Sequence, residues 1–228
     1  MCRPRIISID GPAGSGKSTL GKRLSEYLGY TYFDTGVMYR ALTLIAIEHE
    51  IDLNNEAALS DLAAKIDIDV RPASIEDGRT CDIFIDGEDR TWAIRQSDVD
   101  AHVSIVSAFP KVRKILGNKQ RLIGLRGNVV MAGRDIGTVV LPEADLKIYL
   151  DASVEERARR RHQELISRGE KFNFEQVLSG VIERDRIDST RTTAPLKPAS
   201  DAVILVTDGL STEESFEILK EIVESCCE

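Results

Sequence analysis

The stretch Gly11–Ser18 has residue types at a spacing that could bind a phosphate group. Its sequence, GPAGSGKS, fits the pattern G-x-x-x-x-G-K-[ST] without a mismatch. In such a loop the glycines let backbone N–H groups point toward one centre, the lysine brings a positive charge to the β- and γ-phosphates, and the serine offers its hydroxyl to Mg²⁺. The residues predicted to bind are Gly11, Pro12, Ala13, Gly14, Ser15, Gly16, Lys17, Ser18 and Thr19, with Ser18 as the metal ligand.

The elements on either side of this loop are those that a phosphate-binding loop needs. Residues Ile6–Ile9 form a short apolar run typical of a buried parallel strand. After the loop, Leu20, Leu24 and Leu28 recur four residues apart, which predicts a helix with one apolar face. The free N–H groups and the positive dipole end of that helix add to the binding of an anion. This context favours a phosphate site over a chance glycine turn before a helix.

A second candidate for phosphate chemistry is the arginine-rich segment EERARRR. Arg157, Arg160 and Arg161 are spaced i, i+3 and i+4, so they share one face of a predicted helix. Alone, this pattern would indicate a solvated charged helix in which glutamates pair with the arginines. Together with a phosphate-binding loop elsewhere in the chain, it favours a lid that closes over a polyphosphate.

The segment ERDRIDSTR places further charges along one side of a predicted helix. Arg184, Asp188 and Arg191 follow one another at i, i+4 and i+7. Two interpretations stay open, namely an internal ladder of salt bridges and a surface that grips a ribose and a phosphate. Arg40 lies close to a predicted strand end, where α/β proteins bind ligands, although a surface arginine would also fit that position.

Predicted strands alternate with predicted helices along most of the chain. Strands are predicted over 30–33, 129–132, 146–150 and 202–206, and helices over 37–48, 54–65, 94–125 with a break at Pro110, and 174–186. Capping boxes predict helix starts at Ser153 and Ser211, and Gly169 after Arg168 predicts a helix end. Residues 67–91 instead alternate and turn like a small antiparallel insertion. We therefore expect an α/β fold in which helices wrap a parallel sheet that carries this insertion.

Length and composition exclude several classes of protein. A chain of 228 residues can form one sizeable α/β core with a small insertion. A net charge of −8 argues against nucleic-acid binding through a basic surface. The four cysteines form no C-x-x-C pair, which argues against a zinc ribbon and suits a reducing compartment. We find neither a signal peptide nor a membrane-spanning segment, and we expect a cytoplasmic enzyme with no membrane partner.

The motifs taken together resemble those of bacterial cytidylate kinases, over nearly the whole chain. The segments that carry the resemblance are IDGPAGSGKST, FDTGVMYRALTL, SIVSAFPKVR, GRDIGTVVLPEADLKIYLDAS, EERARRR and ERDRIDSTRTTAPL. It implies ATP and Mg²⁺ as cofactors, CMP and dCMP as substrates, and a monomer. It also implies three parts: a core (1–36, 95–152 and 188–228), a nucleotide-monophosphate-binding part (about 37–94, with a β insertion at 66–92) and a short helical lid (about 153–172).

The resemblance assigns a role to residues spread over the whole chain. In that family, cytosine contacts correspond to Ser104, Arg113 and Asp135, phosphate contacts to Arg40, Arg134 and Arg191, and ribose contacts to Arg184 and Asp188, while Thr35 lies beside the acceptor nucleotide. The catalytic residues implied are Lys17 and the lid arginines Arg157 and Arg161, with Arg160 beside them.

These implied base contacts agree with the chemistry of cytosine. A carboxylate such as Asp135 can accept a hydrogen bond from the exocyclic amine, and Arg113 and Ser104 can donate to the O2 and N3 acceptors. Uracil carries an oxygen in place of the amine and would face the carboxylate without a proton. Polar pockets reject such analogues by up to about 10⁴–10⁵-fold, so we expect CMP to be preferred over UMP.

One position departs from the family pattern. Members commonly carry an acidic residue two positions before the arginine of GRD, where this chain has Ala132. A carboxylate there could orient the magnesium ion or its waters. Asp34 is the substitute candidate in this sequence.

The mechanism implied by the resemblance needs positioning and positive charge. ATP would bind at 11–19, CMP would bind between residues 34–40, 104–113 and 184–191, and closure of the lid would exclude water. The transferring group is loose and anionic, so Lys17, the lid arginines and Mg²⁺ would supply the charge. The acceptor phosphate is largely ionised near neutral pH because its second pKa is about 6, so no general base is required.

Two other functions remain as alternatives. A small-molecule kinase of the shikimate or gluconate type would also use a phosphate loop and an arginine lid, and Asp34 could serve its hydroxyl acceptor. A nucleotide-binding switch is the second alternative, because Asn118–Arg121 approaches the guanine-reading pattern N-K-x-D. Its fourth residue is arginine rather than aspartate, so guanine specificity is not supported.

Overall fold

The computed structural model describes residues 3–79, 81–167 and 169–226. Its strands are β1 (Ile6–Asp10), β2 (Thr31–Asp34), β3 (Ile68–Pro72), β4 (Cys81–Ile85), β5 (Glu88–Asp89), β6 (Val129–Gly133), β7 (Leu146–Asp151) and β8 (Val203–Val206). Its helices are α1 (Lys17–Leu28), α2 (Gly36–Glu48), α3 (Glu56–Lys65), α4 (Ser97–Val106), α5 (Pro110–Gly124), α6 (Val154–Ser167), α7 (Phe174–Thr190) and α8 (Thr212–Ser225). The chain divides into two compact units, which are 1–32 with 126–228 (unit 1) and 33–125 (unit 2).

Unit 1 is built around a parallel five-stranded sheet with the strand order β2-β6-β1-β7-β8. β1 lies in the middle, with Ile7 opposite Val130 of β6 and Leu146 of β7. From β1 the sheet continues through β6 to β2 on one side and through β7 to β8 on the other. The strand order therefore reverses at β1, and α/β sheets bind ligands at the carboxyl end of a strand at such a switch point. The sheet therefore places the loop after β1 where a ligand site is expected.

One face of this sheet packs against α1 and α8. The core between them is apolar, and burying it removes a large hydrophobic area from water. Its members are Ile7, Ile9, Leu20, Leu24, Leu28, Val130, Leu146, Ile148, Leu150, Leu205, Phe216, Leu219 and Val223. The apolar face of α1, formed by Leu20, Leu24 and Leu28, therefore holds this helix against the sheet directly after the glycine-rich loop.

Unit 2 is mostly helical and carries the antiparallel insertion. α2 packs against α3 and α4, and α3 packs against α5. In the insertion β3 pairs with β4, where Val70 lies opposite Ile83, and β4 pairs with β5. The proline predicted to break the long helical stretch does so, because α5 begins at Pro110.

A cluster of charged side chains stabilises the turn that joins β3 to β4. The buried Arg79 guanidinium donates to both oxygens of Asp77, and its Nη1 lies 2.9 Å from Oδ1 of Asp82 and 2.9 Å from Oδ2 of Asp89. Trp92 Nε1 donates to Asp77 as well. Hydrogen bonds from Arg79 and Trp92 hold the pKa of the Asp77 carboxyl well below its usual range. The insertion is therefore stabilised by ionic contacts that its sequence alone did not reveal.

The expected fold class is confirmed, and the structure adds two local corrections. Ser211 and Glu214 form the predicted capping box of α8. At Ser153 the prediction is only partly right, because its Oγ accepts the Glu156 N–H while its own N–H donates to Asp208. Residues Ile136–Val140 form a π-helical turn that the sequence did not indicate. Gly169 adopts a φ of 79° after α6, whereas Arg168 lies outside the described residues.

No helix within the described part of the chain is both long and apolar enough to cross a lipid bilayer.

Candidate active site

The loop after β1 takes a backbone conformation that only glycine adopts without strain. Gly11, Gly14 and Gly16 have φ angles of 149°, 78° and 96°. A Cβ atom on Gly11 would lie 2.0 Å from the Leu150 carbonyl oxygen, and one on Gly14 would lie 3.1 Å from Cβ of Arg157. The glycines predicted from the motif are therefore required both by the dihedral angles and by close packing against β7 and α6.

Lys17 folds back over this loop. Its Nζ donates to the Pro12 carbonyl oxygen at 2.5 Å and to Ser15 Oγ at 3.4 Å, and the residue is buried. Gly16 forms the N-cap of α1, which has no acidic residue in its first turn. Ser18 and Thr19 are exposed in that turn. A lysine ammonium and the positive end of a helix dipole thus lie within one short segment, which suits a polyanion.

Asp10 is a residue of this site that sequence reasoning missed. It ends β1, and its two carboxylate oxygens accept the N–H groups of Ile136 at 2.8 Å and Gly137 at 2.7 Å. Burial raises the pKa of Asp10 to about 6, against the lowering by these hydrogen bonds and by Lys17. The signal that could have revealed it is a carboxylate at the end of a buried strand immediately before the glycine loop.

Arg157 lies against the loop and is almost wholly buried. Its Nε donates to the Ala152 carbonyl oxygen, and Nη1 donates to the Ala13 carbonyl oxygen at 3.1 Å. Nη1 and Nη2 also bind the two oxygens of Asp185, at 3.1 and 2.6 Å. This guanidinium therefore joins the start of α6 to α7 and to the phosphate-binding loop.

The other two arginines of the predicted face, Arg160 and Arg161, make contacts with different parts of the unit. Arg160 donates to the hydroxyl and the carbonyl oxygen of Thr207, just after β8, and its Nε donates to Glu156. Arg161 donates to Glu164 and is partly exposed. The shared face that the spacing predicted thus divides into a buried arginine at the loop and two partly exposed ones. The catalytic role of Arg157 and Arg161 stays a prediction.

A second charged cluster in unit 1 contains predicted acceptor-binding residues. Asp188 lies at 3.0 Å from Nε of Arg134 and at 3.3 Å from Nη1 of Arg191. Arg191 also lies 3.7 Å from Asp135. Burial raises the pKa of Asp188, but the guanidinium groups of Arg134, Arg184 and Arg191 lower it more, and the pKa ends below its usual value. Arg191 and Asp188 therefore form one ion pair of the salt-bridge ladder considered for this helix, and the cluster as a whole contains more arginines than aspartates.

Ser104 and Arg113 lie on either side of one turn in unit 2. Nη1 of Arg113 donates to the Ser107 carbonyl oxygen at 2.9 Å, and Ser107 Oγ donates to the Ser104 carbonyl oxygen at 3.1 Å. The Arg113 guanidinium also lies 5.2 Å from the centre of the Tyr39 ring. Both predicted base-contacting residues are buried. The structure thus brings together two residues that lie nine positions apart on different helices.

Arg40 lies on α2 beside the segment that leads into α4. Its Nη1 donates to the Ile94 carbonyl oxygen at 3.2 Å, and Nη2 lies 2.5 Å from Oδ1 of Asp100. Thr35 forms the N-cap of α2 and is buried, and its carbonyl oxygen accepts a hydrogen bond from Gln120. Arg40 is therefore held by specific partners and is not a surface arginine without contacts.

The residues around the loop fit a magnesium ion that is held mainly by nucleotide phosphates and water. Mg²⁺ usually takes one or two protein oxygens and keeps several waters. Ser18 carries a hydroxyl in the exposed first turn of α1, and both Asp10 oxygens accept backbone N–H groups. Ala132 is buried in β6, and Asp34 accepts the N–H of Gly36. No group of three acidic, histidine or cysteine side chains arranged to hold a metal occurs in the described ranges.

The segment that approached a guanine-reading motif has a structural role. Lys119 on α5 donates to the carbonyl oxygens of Ala63 and Ile66, at 3.1 and 2.9 Å. Gln120 is buried and donates to Thr35. These contacts connect α5 to the end of α3 and to the start of α2. The segment therefore holds helices together, and the structure gives no support to a guanine-binding switch at this position.

Comparisons with known proteins place this chain among nucleotide kinases. A curated cytidylate kinase from Herpetosiphon aurantiacus is 51% identical over 98% of this chain and 96% of its own length. One from Chloroflexus aggregans is 52% identical over 95% of this chain and 92% of its own length. A shikimate kinase structure from Bacteroides thetaiotaomicron is 13% identical, covers 96% of this chain and 97% of its own, and has a TM-score of 0.49, which indicates nothing about the substrate. Because a model of the cytidylate kinase family also matches residues 7–225, the chain belongs to that family.

Proposed function

We propose that this protein transfers the terminal phosphoryl group of ATP to CMP and dCMP and releases ADP. The observation that carries the proposal is the loop Gly11–Thr19, in which three glycines, Lys17 and the N-terminus of α1 form a site for a nucleotide polyphosphate. Membership of the family, with relatives named cytidylate kinase at about half identity over nearly the full chain, supports CMP as the acceptor. We further propose that the protein acts in the cytoplasm as a monomer.

The donor is proposed to bind through the loop and α6. Lys17 would exchange its contact with the Pro12 carbonyl oxygen for the β- and γ-phosphates, and Arg157 would keep the Ala13 carbonyl in place. Arg161, which is partly exposed, would bring a further positive charge to the transferring group. A magnesium ion held by Ser18 and the phosphates would neutralise charge on the phosphate oxygens.

The residues proposed to bind the acceptor are those that the resemblance to the family implied. Ser104 and Arg113 would donate to O2 and N3 of cytosine, and Asp135 would accept from the exocyclic amine. Arg40, Arg134 and Arg191 would bind the monophosphate, Arg184 and Asp188 the ribose, and Thr35 would lie beside the nucleotide. The surplus of arginines around Asp188 supports this proposal, because a small sugar acid would not require it.

The family and these clusters favour a nucleotide acceptor over a small hydroxyl acid. The acceptor phosphate is already ionised, so it can attack without a general base, whereas a hydroxyl acceptor would need one. Asp34, the carboxylate considered for that role, accepts the Gly36 N–H at the start of α2. The remaining task of the protein is to hold two anions in line and to exclude water.

A coupled ADP-release assay with CMP, dCMP, UMP, AMP and shikimate tests the proposal. We expect rapid ADP formation with CMP and dCMP, at least about 10²-fold slower turnover per unit concentration with UMP, and none above background with shikimate. Lys17→Ala should abolish turnover, whereas Lys22→Ala, a change of the partly exposed lysine on the same helix, should leave it unchanged. ADP formation that depends on shikimate and not on CMP would refute the proposal.

A further inference from the structure

The contact between Arg40 and Asp100 has a consequence for how the acceptor phosphate binds. The two side chains lie 2.5 Å apart, and only 20% and 22% of their surfaces are exposed. Such partial burial weakens screening by solvent, so the attraction between the two charges is stronger than for a surface pair. Arg40 therefore already has an anionic partner at the atom Nη2.

Asp100 is held in place on its own helix. It lies in the first turn of α4, where the positive end of the helix dipole stabilises a carboxylate. Ser104 lies one turn further along the same helix, four residues from Asp100. Asp100 thus faces Arg40 from the helix that also carries a proposed contact to the base.

We propose that Asp100 competes with the acceptor phosphate for Arg40 and thereby weakens the binding of CMP. The inference rests on the proposed function, in which Arg40 binds the monophosphate. A phosphate that approaches Arg40 carries nearly two negative charges and meets the carboxylate at the same guanidinium, where like charges repel. Asp100 must give up part of its contact with Arg40 before the phosphate can bind, and it returns when the phosphorylated product leaves.

The competition acts on the phosphate and not on the base. Ile94 holds the other terminal nitrogen of Arg40 through its carbonyl oxygen, so loss of the Asp100 charge does not leave the guanidinium without a partner. An asparagine at position 100 keeps an oxygen that can accept from Arg40 but removes the charge. Asp100→Asn should therefore favour a phosphate-bearing ligand and leave a ligand without a phosphate unaffected.

Calorimetric titration of the full chain with CMP and with cytidine tests this inference. We expect Asp100→Asn to lower the dissociation constant for CMP at least about threefold and to change that for cytidine less than about 1.5-fold. In steady-state assays the KM for CMP should fall by a similar factor. An unchanged or higher dissociation constant for CMP would overturn the inference, since damage to the fold does not produce tighter binding of one ligand alone.

Asp98 provides a matched control on the same helix. It lies in the same first turn of α4, is exposed, and loses the same charge in Asp98→Asn. We expect this variant to bind CMP as the wild type does, and an equal gain in both variants would overturn the inference in favour of a general charge effect. If Asp100→Asn is not folded, Asp100→Ser takes its place, and failure of both to fold would overturn the inference by showing that Asp100 is required for folding.

The wild-type assay separates this inference from the proposed function. Absence of ADP formation with CMP would refute the function itself. Normal ADP formation together with unchanged CMP affinity in Asp100→Asn would refute only the role of Asp100.

Discussion

Several arginines with proposed roles in binding the donor or the acceptor are each paired with an aspartate. Arg157 binds Asp185 through two hydrogen bonds, Arg134 and Arg191 share Asp188, and Arg40 contacts Asp100. A guanidinium held in this way loses little rotational freedom when a phosphate binds, because its orientation is already fixed. The carboxylates also oppose the binding of unrelated anions, since an incoming anion must compete with them.

Asp10 gives a prediction at this scale, because burial raises the pKa of its carboxyl from 3.8 to about 6. Between about pH 4 and pH 6 the folded state retains a proton that the unfolded state releases, so this group lowers the free energy of unfolding as pH rises. We expect it to lower that free energy by about 3 kcal/mol across the window, and we expect Asp10→Asn to remove this slope. Urea unfolding without nucleotide, at several pH values, measures it.

The control for this measurement is another carboxylate that binds two backbone N–H groups. Asp145 accepts the N–H groups of Arg5 and Ile6 but is exposed. Asp145→Asn should therefore retain the slope of the wild type, and parallel curves for wild type and Asp10→Asn would contradict the prediction. Stability is the better readout than turnover here, because the acceptor phosphate itself titrates near pH 6.

At the scale of elements, α6 and α7 are tied to the phosphate-binding loop by one ion pair. Arg157 at the start of α6 contacts the Ala13 carbonyl oxygen, and Asp185 on α7 fixes its guanidinium. A movement of either helix therefore alters the group that contacts the loop. The Arg157 guanidinium thus links the proposed lid to the proposed donor site, through its bonds to Asp185 and to the Ala13 carbonyl oxygen. The lid boundaries at about 153–172 stay a prediction.

Asp185→Asn tests this link between elements. The variant removes the charge that orients Arg157, so we expect the KM for ATP to rise at least about fivefold while the KM for CMP changes less than about twofold. Glu183→Gln is the matched control, because Glu183 lies on the same helix and pairs with Arg186 at the surface. Equal changes in the two Michaelis constants, or an unchanged KM for ATP, would contradict the prediction.

At the scale of the whole molecule, each compact unit contains its own residues with proposed binding roles. Unit 1 contains the loop, the arginines of α6 and the cluster around Asp188, and unit 2 contains Arg40, Ser104 and Arg113. Ligands that bind only the folded state stabilise it by an amount set by their concentration relative to the dissociation constant. Thermal unfolding therefore reports which ligands the folded chain recognises.

Ligand-dependent melting gives a prediction at this scale. At a concentration about 100 times its dissociation constant, a ligand adds about 2.7 kcal/mol of stability, which raises the Tm of a chain of this length by about 5–10 °C. We expect CMP, and separately a non-hydrolysable ATP analogue, to produce such a shift in scanning calorimetry. Shikimate at the same concentration should produce none, and a shift with shikimate but not with CMP would contradict the acceptor assignment.

The sequence by itself determined the fold class, and its motif indicated the glycine-rich loop at 11–18 as the candidate phosphate site. Hydrophobic periods of strands and helices, and the glycine pattern around Lys17, lie within short stretches of sequence. Such stretches largely set the local backbone conformation, so these features can be predicted without the tertiary structure. It also indicated Pro110 as a helix start and Ser211 as a cap, both of which the structure confirms. Spacing in the sequence suggested which arginines share a helix face, and the resemblance to a family supplied the assignment of each one to base, ribose or phosphate.

Only the tertiary structure decided which charges meet. The partners of Arg157, Arg40 and Asp10 lie 28, 60 and about 126 residues away in the sequence. No local period encodes such pairs, because they form when strands and helices pack. The same holds for Ser153, whose N–H binds Asp208 rather than the glutamate of its own capping box. The sequence determines which chemical group each side chain carries. The burial of that group, its partner and therefore its charge state depend on how distant elements pack together.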